Sequence, residues 1–175
     1  MSVKAHRGLS HYRRLANAEP WVARIETGQR LLGEHAGAVL VQLRANMARD
    51  DDRLDSFLSL VPNWIRIAME LRHPSWNHPD VDEILARHRA AYVVTEGLGL
   101  DCIPKATTDF AYIRMHGPDT DPPYAGSYPT AALRRWADLI GEWTQQNRRV
   151  LVYFNNDGHG NAVRNACELR ELLVG

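Results

Sequence analysis

A carboxylate and an imidazole, Glu70 and His116, stand near the ends of two β-prone runs, and that pair is the equipment of general acid–base catalysis. Lys4, Arg72 and Arg114 hold similar places. An ammonium and two guanidiniums suit an anion, and arginine adds a two-pronged grip on phosphate or carboxylate. Gln42, Asn155 and Asn156 carry amides that can orient hydroxyl or amide groups. The set assigns catalysis to Glu70 and His116, and substrate binding to Lys4, Gln42, Arg72, Arg114, Asn155 and Asn156. It suits a small phosphorylated, carboxylated or sugar-like molecule. The competing reading is an internal ion-pair network, Glu70 with Arg72 or Arg114, that holds strands in register. A divalent metal is a candidate cofactor, with His116, Glu70, His73 or Asp157 as ligands. No HxH or HExxH spacing supports it and the eight histidines are scattered, so no metal ligand is assigned.

Short β-branched runs must position these groups. The pattern predicts strands at Ser2 to His6, Ala38 to Leu43, Ile65 to Arg72, Ala91 to Glu96, Phe110 to His116 and Val150 to Asn156. Alternation within them puts Arg66, Ala68, Glu70 and Arg72 on one face, and Tyr112, Arg114 and His116 on one face of another. Segments of helical period lie between the runs. Trp21, Ile25, Gly28 and Leu32 follow Pro20; Leu54, Phe57, Leu58 and Val61 follow three aspartates suited to capping. Val81, Ile84 and Leu85 follow Pro79, and Leu133, Trp136, Ala137, Ile140 and Trp143 follow Pro129. A last helix is expected from about Asn161 to Leu173.

Strand–helix alternation predicts a parallel sheet covered by helices. Both faces of such a sheet are buried, yet the polar residues gather at the C-terminal end of each run. Barrel enzymes and open α/β sheets place their sites there. The rival is an antiparallel sheet with one solvated face, which the intervening helices disfavour. Gly97 to Asp109 has no period and reads as a long loop. Asp119 to Ser127 is a Pro/Gly-rich loop after a strand, a candidate lid. Asn155 to Gly160 (NNDGHG) runs into the last helix, whose N-terminus would offer N–H groups to an anion; the same residues also fit a plain strand-to-helix turn.

The 175 residues fit one domain. Charged residues make up 24% and cancel to a formal net charge of zero, so no global field draws in nucleic acid or anionic membrane. Residues 1 to 30 nevertheless hold six basic side chains against two acidic ones, with His6, His11 and Tyr12 among them. That patch makes a nucleic-acid partner an alternative, although clustered arginines are more often a solvated surface. The run Ala38 to Val41 is far short of the roughly 20 apolar residues a membrane helix needs. No apolar core follows the basic residues of the N-terminus, so it does not read as a secretory signal. Cys102 and Cys167 have no metal or redox spacing and read as reduced thiols of a cytoplasmic protein.

Three stretches carry a family likeness: Glu70 to Trp76 (ELRHPSW), Tyr112 to Gly117 (YIRMHG), and Tyr153 to Asp157 with Gly160, Ala162, Asn165 and Ala166. With Val3-Lys4-Ala5, His11 and Val39 to Leu43, they resemble the YecE-like family, the domain of unknown function numbered seventy-two, over essentially the whole chain. The resemblance implies a TIM-barrel-like (β/α) fold and no assigned activity. Fold-level analogy alone links such barrels to sugar isomerases and apurinic-site endonucleases. The family carries two strands ahead of Val3-Lys4, so the resemblance implies an incomplete barrel of about six parallel strands with outer helices. Two readings stay open: Met1 is an internal methionine of a longer frame, or the chain is a short form with two open sheet edges. In the second, a homodimer would cover the edges, and the protein could be a dimeric binding module without catalysis. Arg44-Ala45 replaces the family's usual prolines, and Glu96 its usual aspartate.

Overall fold

Each β-branched run becomes a strand, and every strand runs parallel to its neighbour. They are β1 (Val3–Lys4), β2 (Ala38–Gln42), β3 (Arg66–Glu70), β4 (Ala91–Glu96), β5 (Phe110–Met115) and β6 (Arg149–Phe154), hydrogen-bonded in the order β1-β2-β3-β4-β5-β6. The computed structural model describes residues 1–118 and 123–175. Between strands lie α1 (Glu19–Leu32), α2 (Asp51–Ser59), α3 (Pro79–Arg87) and α4 (Thr130–Gln145), and α5 (Asn161–Val174) closes the chain. Parallel strands in consecutive order, joined mostly by helices, are the topology of a (β/α) barrel. Six strands are two short of the eight that close one, so this is an α/β, incomplete barrel.

The chain divides into two compact units, Met1–Tyr92 and Val93–Gly175. The ladder of β4 divides with them. Ala91 and Tyr92 are in register with Ala68 and Met69 of β3, whereas Val93 to Glu96 are in register with Tyr112 to Met115 of β5.

In the first unit β2 is buried along its whole length and β3 everywhere but Arg66. Asp50 caps α2 by accepting the Arg53 N–H at 3.1 Å. Leu54, Phe57 and Leu58 of α2, and Val81, Ile84 and Leu85 of α3, are buried. Each such side chain contributes about 1.5–3 kcal/mol when fully buried. The expectation for α1 needs correction. Its buried residues are Val22 and Gln29, while Trp21, Ile25 and Leu32 are half-buried and Gly28 is exposed. Helical period reveals an apolar side but not which side the sheet takes up. Trp21 turns instead toward the segment after β1, stacking on His6 with ring centroids 5.1 Å apart. A Cβ on Gly8 would stand 2.2 Å from its ring.

In the second unit α4 buries Leu133, Trp136, Ile140 and Trp143, and α5 buries Ala162, Asn165 and Leu169. Gly97 to Asp109 carries neither helix nor strand. The expected lid, Asp119 to Ser127, begins with Asp119, Thr120, Asp121 and Pro122, which lie outside the described residues.

Several strands are shorter than the sequence suggests. They stop at Lys4, Glu70, Met115 and Phe154, so Arg72, His116, Asn155 and Asn156 belong to the segments just beyond the strand ends. The second unit shows why. Gly97 and Gly117 take φ of 96° and 98°, which ends β pairing there. A Cβ on Gly97 would meet the Gly117 carbonyl oxygen at 2.5 Å, so the two chain segments touch backbone to backbone. Among the described residues no helix is long and apolar enough to cross a membrane.

Candidate functional site

The C-terminal ends of β1, β2 and β3 bring together four expected site residues of the first unit. Gln42 and Glu70 are Cα partners in the ladder, so their side chains stand side by side. The Lys4 ammonium donates to Gln42 Oε1 at 2.9 Å, and the Arg72 Nε–H donates to Glu70 Oε1 at 2.6 Å. Glu70 is only 1% exposed, so a charge-assisted partner is what makes its burial tolerable. The ion pair and the binding-site reading are compatible: the pair fixes the groups a ligand would meet.

His11 completes this cluster. The chain after β1 makes one π-helical turn, Gly8–Tyr12, closed by the Arg13 N–H donating to the Gly8 carbonyl at 2.9 Å. Such turns, one residue wider than an α turn, recur at functional sites. Arg14, Leu15 and Asn17 follow with φ of 49°, 69° and 49°, a strained run for non-glycine residues. The turn sets the His11 ring beside the buried Ser10, Nδ1 to Oγ at 2.9 Å. Burial, and then the charges of Lys4, Arg44, Arg7 and Arg72, hold His11 below the ordinary imidazole range. Four cations from three chain segments, those at or just beyond the ends of β1, β2 and β3, therefore act on one ring. Sequence reasoning noticed His11 only through resemblance, and Arg7 and Arg44 not as site residues at all. The local basic excess near the N-terminus was the one available signal.

The His73-Pro74-Ser75-Trp76 stretch is a clip. His73 Nδ1 accepts the Ser75 N–H at 3.2 Å, and the Arg49 N–H donates to Ser75 Oγ at 2.8 Å. The indole N–H of Trp76, 1% exposed, donates to the Met47 carbonyl at 2.8 Å. The clip ties the loop carrying Arg44 to the loop carrying Arg72. His73 is thereby engaged in shaping a turn.

The second unit treats its strand ends differently. Arg114 Nε–H donates to Asn155 Oδ1 at 3.1 Å, joining two expected binding residues. His116, 1% exposed, donates its backbone N–H to the Glu96 carbonyl at 2.9 Å, and its ring meets Tyr124 edge-on at 5.4 Å. Asn156 is fully buried, and its amide N–H groups go to the Gly126 carbonyl and to Asn165 Oδ1, both at 2.9 Å. Asn165 also accepts the Tyr128 N–H at 3.0 Å and donates to Ser127 Oγ at 3.1 Å. Tyr128 Oη in turn accepts the Gly117 N–H at 2.9 Å. This amide network anchors Gly126 and Ser127, the far end of the expected lid, and Tyr128 just after it. Asn156 Oδ1 has no hydrogen-bond partner among the described residues.

Glu96 adds a titratable group that sequence reasoning noticed only as a departure. Burial pushes its carboxyl upward, while the Trp136 indole N–H, donating to Oε2 at 2.6 Å, and then Arg135 pull the other way. Burial and Glu96 push the Cys102 thiol up to about 11. Burial first, and then Glu96, likewise raise the Tyr128 phenol. Trp136 and Asn165 were hidden because an indole on an apolar stripe and an amide on a helix look ordinary. Among the described residues no three His, Cys, Asp or Glu side chains gather as a metal site.

Comparison with known proteins adds a family and a fold. The family model for the protein of unknown function DUF72 matches residues 1–175. A DUF72 family protein from Thermotoga maritima is similar in structure with a TM-score of 0.88 and 22% sequence identity, over 99% of this chain and 73% of that one. A DUF72 family protein from Enterococcus faecalis, in two crystal structures, gives TM-scores of 0.81 and 0.77 at 19% and 20% identity. Those matches cover 98% of this chain and 73% and 77% of the other. At such identities the likeness is one of fold. No curated protein matches the sequence.

Proposed function

The chain belongs to the DUF72 family, and we propose that it binds a small anionic molecule, phosphorylated or sugar-like, at the C-terminal ends of its strands and acts on it as an enzyme. One observation carries the reading: at the C-terminal ends of β1, β2 and β3, Lys4 donates to Gln42 and Arg72 donates to Glu70, which sets two oriented cations at neighbouring strand ends. An anion bound there gains charge-assisted hydrogen bonds from both. Arg72 is braced by Glu70 and Lys4 by Gln42, so both cations are oriented before a ligand arrives. Glu70 is the proton-transferring group in this reading, and Gln42 orients hydroxyls. In the second unit Arg114, Asn155, Asn156 and His116 are the candidates for the same tasks.

The test uses inorganic phosphate and ribose 5-phosphate. At about ten times Kd either ligand should raise Tm by roughly 3–6 °C. It should also raise the His11 pKa followed by NMR, because a bound anion opposes the four cations. Arg72→Ala and Lys4→Ala should abolish both effects. A His11 titration unmoved by either anion at saturating concentration overturns the proposal.

A further inference from the structure

Ser10 and His11 are consecutive in the π-helical turn, which packs against β2. Ser10 is fully buried, and its hydroxyl meets one partner among the described residues, His11 Nδ1 at 2.9 Å. A serine hydroxyl holds a single hydrogen, and away from water that hydrogen needs an acceptor. With the ring proton on Nδ1, the imidazole would donate to Oγ and leave the buried hydroxyl hydrogen unmet, which is costly. Ser10 therefore donates to Nδ1, and the neutral ring carries its own proton on Nε2.

Nε2 lies on the other side of the ring from that contact. It makes no hydrogen bond among the described residues, and it is not sealed from solvent, so a solute can reach it. The charges that act on the ring are those of Lys4, Arg44, Arg7 and Arg72, and ammonium and guanidinium groups offer no acceptor. A ring left to itself among cations would turn its lone pair toward them. Ser10 takes up that lone pair, so the ring adds a further N–H to a set made of donors. Donors that converge without an acceptor of their own suit an oxygen anion. Burial and the same four charges keep the imidazole from taking a second proton, so it meets the ligand neutral.

We propose that His11 donates its Nε2–H to an oxygen of the anion held by Lys4 and Arg72, and that Ser10 is the positioning residue that fixes this tautomer. The proposal rests on the anion site and adds a neutral donor to it. The test uses the ¹⁵N-labelled full chain at pH 8, free and saturated with inorganic phosphate. In the free chain, NMR of the imidazole nitrogens should show His11 Nδ1 unprotonated and Nε2 protonated, and Ser10→Ala should let the two forms mix. A free chain with the proton on Nδ1 overturns the proposal whatever phosphate does. With phosphate, the Nε2–H signal should move downfield as it gains a charged acceptor. By calorimetry, His11→Ala should weaken phosphate binding about ten- to hundredfold. His11→Gln, whose amide can present an N–H near the place of Nε2, should stay within about threefold of the native chain. Phosphate binding that needs Lys4 and Arg72 yet leaves the Nε2–H unmoved, or that His11→Ala leaves intact, overturns this proposal and spares the anion site. Phosphate that fails to bind the native chain overturns both.

Discussion

In the first unit the strand ends pair charge with charge, Arg72 with Glu70; in the second the charged groups meet amides and rings, Arg114 with Asn155 and Glu96 with Trp136. Lys4, Glu70, Arg72 and His11 sit among like and unlike charges whose balance a ligand can change. Asn156, Asn165 and Tyr128 sit in a network whose amide hydrogens are spent on the protein's own backbone and side chains. Both follow the same parallel strand–helix plan, so the difference lies in the side chains beyond the strand ends. A site that binds keeps electrostatic work in reserve. A site that scaffolds spends its donors on its own chain.

The largest expected effect lies in the scaffold. Asn165→Leu strands the Asn156 amide and the Tyr128 N–H at once, and should lower stability by roughly 3–5 kcal/mol, measured as a fall in the urea midpoint at unchanged slope. A loss under about 1 kcal/mol would erase the contrast between the units. Glu70→Gln comes next. It removes a negative charge from a cationic cluster, so phosphate should bind about tenfold more tightly by calorimetry, while any turnover that needs the carboxylate disappears. Weaker phosphate binding in that variant would mean that Arg72 depends on Glu70 for its orientation alone.

Acid should push the two units in opposite directions. His11 has a folded pKa below its ordinary 6.5, so as pH falls past that value the unfolded chain takes the proton first and stability is lost until the folded pKa is passed. Glu96 has a folded pKa above its ordinary 4.5, so as pH falls through the raised value the folded chain takes the proton first and stability is gained. Hydrogen exchange between pH 7 and pH 4.5 should show β2 and β3 losing protection while β4 and β5 gain it. Parallel changes in both would break the comparison. Adding phosphate should cancel the loss in the first unit and leave the second unmoved. The smallest effect belongs to the surface: Arg13→Ala with Arg14→Ala should change stability by less than about 0.5 kcal/mol. Salt-sensitive binding of single-stranded DNA that this double variant abolishes would instead favour a nucleic-acid partner.

Strand number, parallel order and most helices were legible because β-branched alternation, prolines at helix starts and the Asp50 cap act locally. The Glu70 and Arg72 pairing was legible for the same reason, since two residues apart on an extended chain means the same side. The His11 cluster was not, because its cations come from three segments that only the fold gathers. The buried side of α1 was also hidden, since a glycine counted as apolar turned out to face open space.

One spare residue separates the turn at Gly8–Tyr12 from an ordinary α-helical one. Each residue of a helix advances the direction of its side chain by about 100°. Deleting a single residue from this turn would let it rewind to the tighter form and swing the imidazole away from Lys4 and Arg72. The wide turn thus works as an azimuth setting, and a chain one residue shorter there would keep every charge of the cluster while aiming its ring elsewhere.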